Sequence, residues 1–260
     1  MPKLCILFDP DKGEVVDRIQ RALIEILEER PSIVEKGIIE AWVGGSREQG
    51  LGTRKYLHTL RKNLPPKVPV VIFPGNPFQV FSIGDYIIVP DLLNAHRRLI
   101  HFFVWIGKSY HRIRKRWARL RRTHFPVERK TGYLVLSPDS SAGRKIGAHR
   151  VTDDQVVDIV RERLEAGWFQ DWWGLYIEAG SGAKRSVSER TILIQRLREV
   201  VGPERRILTG GGIRDGDAVK ALVEATSDFI VISTVLELAV DPKALINEFI
   251  DKMLDTTTNE

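Results

Sequence analysis

One cysteine in 260 residues excludes an internal disulfide and a cysteine-bound metal cluster. Cys5 lies in the apolar run Leu4-Cys5-Ile6-Leu7-Phe8 and reads as a small buried hydrophobe, in keeping with a reducing compartment. Long hydrophobic runs are also missing. The longest, residues 99–107, is far short of the ~20 residues that span a bilayer. The first apolar run enters an acidic turn rather than a cleavage site, so no signal peptide is expected. The six histidines show no paired metal spacing, and no zinc site is expected. No short repeat, low-complexity linker or domain boundary appears. Acid is absent from one interval: between Asp91 and Glu128 there is no Asp or Glu, while ten of the forty Lys and Arg residues fall there. The rest of the chain carries thirty basic against thirty-four acidic residues, so the net charge of +6 is the work of one basic segment.

What is present is an alternation of strand-like and helix-like segments from end to end. Strands are expected at residues 4–8, 37–43, 68–73, 86–89, 132–136, 174–177, 206–208 and 229–232, and helices at 15–29, 53–63, 95–122, 152–166, 186–201, 215–225 and 241–254. The segment after the third strand, residues 78–83, is too short for a full helix. Eight strands in a chain of this length point to an α/β fold, a (β/α)8 TIM barrel with one unit abbreviated, forming a single domain over residues 1–260. An open doubly wound sheet is the alternative.

Barrel geometry localises function. Catalytic groups come from the C-terminal ends of the strands, and phosphate sites often follow strands seven and eight. Asp9-Pro10-Asp11-Lys12-Gly13 follows strand one, Gly44-Gly45-Ser46 strand two, and Phe73-Pro74-Gly75-Asn76 strand three. Tyr176-Ile177-Glu178-Ala179-Gly180-Ser181-Gly182 closes strand six, Gly210-Gly211-Gly212-Ile213 strand seven, and Ser233-Thr234 strand eight. Asp9 and Asp11 offer hard oxygen donors for Mg²⁺, or form an Asx turn closed by Pro10 and Gly13. Glu178 is placed to take a proton from a substrate hydroxyl, or to pair structurally with an Arg or Lys. The triple glycine, with Ile213-Arg214-Asp215 after it, fits a phosphate cradle opening a helix at Asp215.

Together these motifs resemble the geranylgeranylglyceryl phosphate synthase family, which also includes the bacterial heptaprenylglyceryl phosphate synthases. They run in the family's order over essentially the whole chain, and the Tyr176–Gly182 element is highly specific. The resemblance implies a modified TIM barrel whose third helix is replaced by an extended segment. It implies Mg²⁺-dependent transfer of a prenyl group, with geranylgeranyl the foremost candidate, from its diphosphate to sn-glycerol 1-phosphate. Mg²⁺ is expected at Asp9 and Ser46, and Glu178 as the catalytic base. Glycerol phosphate is expected against Tyr176, Ile177, Glu178, Ala179, Gly180, Ser181, Gly182, Gly211, Gly212, Ser233 and Thr234. The family also implies a homo-oligomer in the cytoplasm or at the inner membrane surface.

The chain departs from the family in places. Ser233 stands where the family usually has glycine and takes positive φ less cheaply. Leu7 replaces a lysine of the bacterial branch, which aligns the chain with the archaeal-type branch. A changed acceptor such as a phosphoglycerate is one alternative; its extra carboxylate needs a cation, and Lys184, Arg185 and Arg214 are nearest in sequence. A catalytically silent barrel holding phospholipid headgroups is another. In residues 95–122, Ile106, Tyr110, Ile113, Trp117 and Leu120 form an apolar stripe, with Arg112, Lys115, Arg116, Arg119 and Arg122 on the other side. This reads as an outer barrel helix with a solvated basic face, as a contact with anionic lipid, or as an oligomer interface. No nucleic-acid recognition motif accompanies it. Trp168-Phe169 and Trp172-Trp173 precede strand six and are expected to pack away from the chemistry.

Overall fold

The computed structural model describes residues 1–44, 51–75, 79, 81–96, 112–113, 115–120, 124–166, 171–180 and 185–257. Eight parallel strands close into a barrel in chain order: β1 (Lys3–Phe8), β2 (Ile39–Val43), β3 (Val70–Ile72), β4 (Tyr86–Leu92), β5 (Val127–Val135), β6 (Gly174–Glu178), β7 (Arg206–Gly210) and β8 (Phe229–Ile232). Closure is made by β1, which pairs with β2 (Leu4↔Ile39) and also with β8 (Leu4↔Ile230). The open-sheet alternative is thereby excluded.

Strands covered on both faces read as continuous apolar runs, and the pleat divides them between two cores. Leu4, Ile6, Ala41, Val43, Leu175, Ile177, Ile230 and Ile232 face the surrounding helices. Cys5, Trp42, Val71, Ile88, Tyr133, Tyr176, Leu208 and Val231 fill the barrel interior, which places the lone cysteine where the sequence puts it. Helix Glu14–Glu29 buries Val16, Ile19, Leu23, Ile26 and Leu27, a three- and four-residue spacing that keeps one face on the sheet. The helices after β5 and β6 start one residue later than the apolar pattern proposes, because Thr152 and Ser186 are N-caps that close capping boxes with Gln155 and Glu189. Trp172 is buried and fills the space over Gly132, where a Cβ would come within 2.8 Å of the indole; its packing role stands. Trp168 and Phe169 lie outside the described residues.

Three short elements at the barrel mouth escape the sequence pattern: a 3-10 turn (Pro10–Lys12) after β1, helix Ser141–Ile146 after β5 and helix Thr234–Leu238 after β8. Each is too short for a hydrophobic period to register. The connection from β3 to β4, where an extended segment is expected in place of the third helix, falls partly outside the described residues (76–78 and 80). Of the expected helix at 95–122, residues 112–113 and 115–120 are helical, whereas its start is not: Ala95 forms an isolated antiparallel bridge with Ala148 and His96 follows without helical structure, and the remaining positions lie outside the described residues. Lys115 pairs with Glu128 at the start of β5, and His124 Nε2 donates to the Gly84 carbonyl (3.0 Å), so this segment ends at the foot of β4 and β5. In the described part of its apolar stripe, Ile113, Trp117 and Leu120 are 55%, 54% and 71% exposed, while Ala118 is buried. Among the described residues no helix is long and apolar enough to cross a membrane.

Candidate active site

A cavity of about 1050 Å³ opens at the C-terminal ends of the strands, at the upper end of the usual ligand-pocket range of roughly 300–1,000 Å³. It gathers Asp9, Tyr176, Glu178, Gly180, Gly211, Gly212, Ser233 and Thr234, expected site residues drawn from four separate loops. Ile177 and Ala179 are instead buried behind the wall, each 1% exposed. Their side chains are core, because alternation along β6 turns every second residue outward. Ser46, Ser181 and Gly182 lie outside the described residues.

Glu178 ends β6 with both carboxylate oxygens engaged. Oε2 accepts from the Tyr176 hydroxyl (2.9 Å) and Oε1 from the Gly180 N–H (2.7 Å). Burial raises its pKa above the ordinary carboxylate value; those two hydrogen bonds and the charge of Arg190 oppose the shift without reversing it. The glycines make this packing possible. A Cβ on Gly210 would stand 2.2 Å from the Tyr176 hydroxyl, and one on Gly211 would stand 2.4 Å from Glu178 Oε1. Gly180, Gly211 and Gly212 take φ of +84°, +80° and +61°, which other residues adopt only with strain. Gly211→Ala therefore introduces both a clash and a strained backbone. It is expected to lower stability by about 1–3 kcal/mol and to cut turnover sharply, measured by thermal melting and steady-state assay.

Arg190, 1% exposed, holds the glycine turn from behind: Nη1 donates to the Gly211 carbonyl (2.8 Å) and Nη2 to the Gly212 carbonyl (3.3 Å). A residue outside every motif is thus the brace of the glycine turn, and sequence inspection does not find it. The helix after this loop opens at Gly216 behind its Asp215 N-cap, as the sequence pattern proposes. Two of its first N–H groups are engaged within the protein, Gly216 by Glu248 (2.6 Å) and Ala218 by Asp215 (2.8 Å), while Gly211 and Gly212 line the cavity.

Asp9 lies on the opposite wall, its Oδ1 accepting from the Asp11 N–H (3.1 Å). The Asx-turn reading thus holds. Burial raises its pKa, and the nearby charges of Asp11 and Glu237 push the same way, against the Asp11 N–H and Lys12. Ser233 has φ −147°, so the concern over positive φ does not arise. Its hydroxyl donates to Glu237 (2.9 Å), which pairs with Lys12 (3.4 Å). Lys145, on the short helix after β5, reaches the rim and feels the charges of Asp9 and Asp11. Glu237 and Lys145 are site residues the sequence reading missed. Of the cations named for a carboxylate-bearing acceptor, Arg185 is held by Asp153 and the Val151 carbonyl, Arg214 lines the cavity, and Lys184 lies outside the described residues. Phe73, Pro74, Pro90, Leu92, Tyr133 and Ile146 make the β3–β5 side of the cavity apolar, with Phe73, Tyr133 and Tyr176 in mutual ring contact beneath it.

A family model described as the PcrB family matches residues 5–255. The geranylgeranylglyceryl phosphate synthase of Ignicoccus hospitalis is 28% identical over 236 residues, covering 89% of this chain and 86% of that one. That of Korarchaeum cryptofilum is 27% identical over 248 residues, covering 94% and 91%. The crystal structure of (S)-3-O-geranylgeranylglyceryl phosphate synthase from Thermoplasma acidophilum, in complex with its substrate sn-glycerol-1-phosphate, is similar in fold, with a TM-score of 0.73 at 23% identity over 98% of this chain and 94% of that one. With a match that runs through all eight strands, the chain belongs to the PcrB family, the family of the geranylgeranylglyceryl phosphate synthases.

Proposed function

We propose that the protein is a prenyltransferase that joins a prenyl group to a hydroxyl of sn-glycerol 1-phosphate, releasing diphosphate and leaving an ether. One observation carries the reading: a buried carboxylate, Glu178, shares a single cavity with a braced glycine turn suited to phosphate, an acidic site at Asp9 and an apolar sector suited to a hydrocarbon tail.

In this reading the turn Gly211–Gly212 and the residues Ser233-Thr234 hold the phosphate of the acceptor. Its hydroxyl then lies within reach of Glu178. The allylic C–O bond of the donor breaks toward diphosphate, the acceptor oxygen bonds to the same carbon, and Glu178 takes the hydroxyl proton. Fixing both partners in one cavity supplies much of the rate gain. The apolar sector over β3–β5 takes the prenyl chain, and the size of the cavity suits a long donor such as geranylgeranyl diphosphate. Asp9 fits a hard divalent cation, since it is an oxygen donor on the cavity wall whose surroundings add negative charge. Among the described residues no three His, Cys, Asp or Glu side chains converge, so Mg²⁺ would keep water and diphosphate oxygens in its shell. Bound there, Mg²⁺ would neutralise charge on the leaving diphosphate.

The test is transfer of radiolabelled sn-glycerol 1-phosphate into an organic-extractable product, with farnesyl, geranylgeranyl and heptaprenyl diphosphates compared with and without Mg²⁺. A 3-phosphoglycerate acceptor runs in parallel. Metal-dependent extraction that favours the geranylgeranyl donor is the expected result. No product with any donor rejects the reading, and product with phosphoglycerate alone changes the acceptor. Asp9→Asn is expected to lower turnover at least about a hundredfold and to weaken Mg²⁺ binding measured by calorimetry. Unchanged metal affinity would remove Asp9 from the ligand set.

A further inference from the structure

The basic segment that supplies the net charge carries an apolar face turned to solvent. Trp117 and Leu120 stand three residues apart within the helical stretch 115–120 and share a face. Ile113 lies four residues before Trp117. All three are more than half exposed, and the buried Ala118 marks the side that meets the barrel. Arg116 and Arg119 form a second exposed row beside them, continued by the exposed Arg112. Apolar and cationic rows lie side by side on the outward surface, which is the pattern of a helix that rests in a lipid interface. A packed outer helix of a barrel turns its apolar stripe inward instead.

We propose that this flank, under β4 and β5, is a docking surface for an anionic phospholipid membrane, with Trp117 and Leu120 entering the headgroup boundary and Arg112, Arg116 and Arg119 meeting lipid phosphates. Charge selects this occupant. The interval from Asp91 to Glu128 contains ten Lys or Arg and no acid, so a two-fold contact between copies through this face would set like charges against each other. An anionic bilayer is complementary to it and attracts each exposed cation. Tryptophan and leucine beside arginine suit a surface with both an apolar interior and a charged skin.

The experiment is co-flotation of the full-length protein with vesicles of phosphatidylcholine alone and with phosphatidylglycerol added at 30 mol%. Wild type is expected to float only with the anionic vesicles, and less so at high salt. Arg112→Glu with Arg116→Glu and Arg119→Glu should lower the bound fraction at least tenfold, and so should Trp117→Ala with Leu120→Ala. Arg112→Lys with Arg116→Lys and Arg119→Lys should keep it within about twofold. Circular dichroism should be unchanged in all of them. Turnover with a detergent-dispersed donor, where the wild type has it, should be unchanged too. The proposal is overturned by equal binding to neutral vesicles, by no binding at all, or by binding that the glutamate and alanine variants retain. It is equally overturned if the surface proves to join copies, so that the alanine variant dissociates an oligomer seen by light scattering. Vesicle binding is read without any prenyl transfer, so loss of the enzymatic reading and loss of this one are separate results.

Discussion

Glu178→Gln is expected to lower prenyl transfer by about two to four orders of magnitude, the range of a positioned general base, while the barrel stays folded. Glutamine keeps the shape and keeps an oxygen for the Gly180 N–H, which bonds Oε1 at 2.7 Å. The Tyr176 hydroxyl, now a donor at 2.9 Å, can turn to accept from the new amide. What is lost is a group that can take a proton. The wild-type pH profile carries the same signature. Burial raises the Glu178 pKa, so the acid limb of kcat/KM should lie above the ordinary carboxylate value, with activity falling as pH drops through it. The sign for stability is the reverse. A carboxylate whose folded pKa is raised favours folding below its unfolded pKa, and that contribution is lost as pH rises through the folded value. At neutral pH the buried charge is a cost, so the glutamine variant should melt no lower than wild type. Near-wild-type turnover in Glu178→Gln, or an acid limb left at the usual carboxylate position, would remove Glu178 as the base.

The strands were legible because burial on both faces leaves an unbroken apolar signature, as in Leu4–Phe8 or Phe229–Ile232. The mouth was legible because glycine-rich turns at strand ends have few other uses, and Gly211 bears this out by leaving no room for a Cβ beside Glu178. What escaped the sequence acts through space. Arg190 braces carbonyls 21 and 22 residues away, with no local pattern to mark it. Lys145 and Glu237 reach the cavity from helices of six and five residues, too short to show a period. The stripe at Trp117 was visible as a stripe, but its direction was not: periodicity tells that residues share a face and is silent on whether a sheet or solvent lies opposite.

The largest loss of stability is expected from the other end of the barrel. Glu40 is wholly buried, and its carboxylate receives Arg129 through two bonds (Nη1 to Oε2, 2.6 Å; Nη2 to Oε1, 3.0 Å), Trp42 Nε1 (3.1 Å) and Lys3 Nζ (3.1 Å). The Arg129 guanidinium lies 3.7 Å from the centre of the Tyr86 ring and 4.5 Å from that of Trp173, and the residue is only 6% exposed. Glu40→Ala strands a buried cation and an indole N–H together, and should cost about 3–5 kcal/mol in urea unfolding. Replacing both partners by apolar residues, Glu40→Leu with Arg129→Met, should recover most of that loss, because the strong penalty belongs to the unpaired charge and not to the absence of the pair. Burial alone raises the Glu40 pKa, but the bonds and charges of Arg129 and Lys3 outweigh it and the net shift is downward. Its contribution is therefore fully present above the unfolded glutamate pKa and is lost as pH falls through the depressed folded value. Wild type should lose stability in acid more steeply than the double variant. If Glu40→Ala costs less than about 1 kcal/mol, or if the double variant is no better than the single, the foot of this barrel is held by its aromatic packing and not by the ion pair.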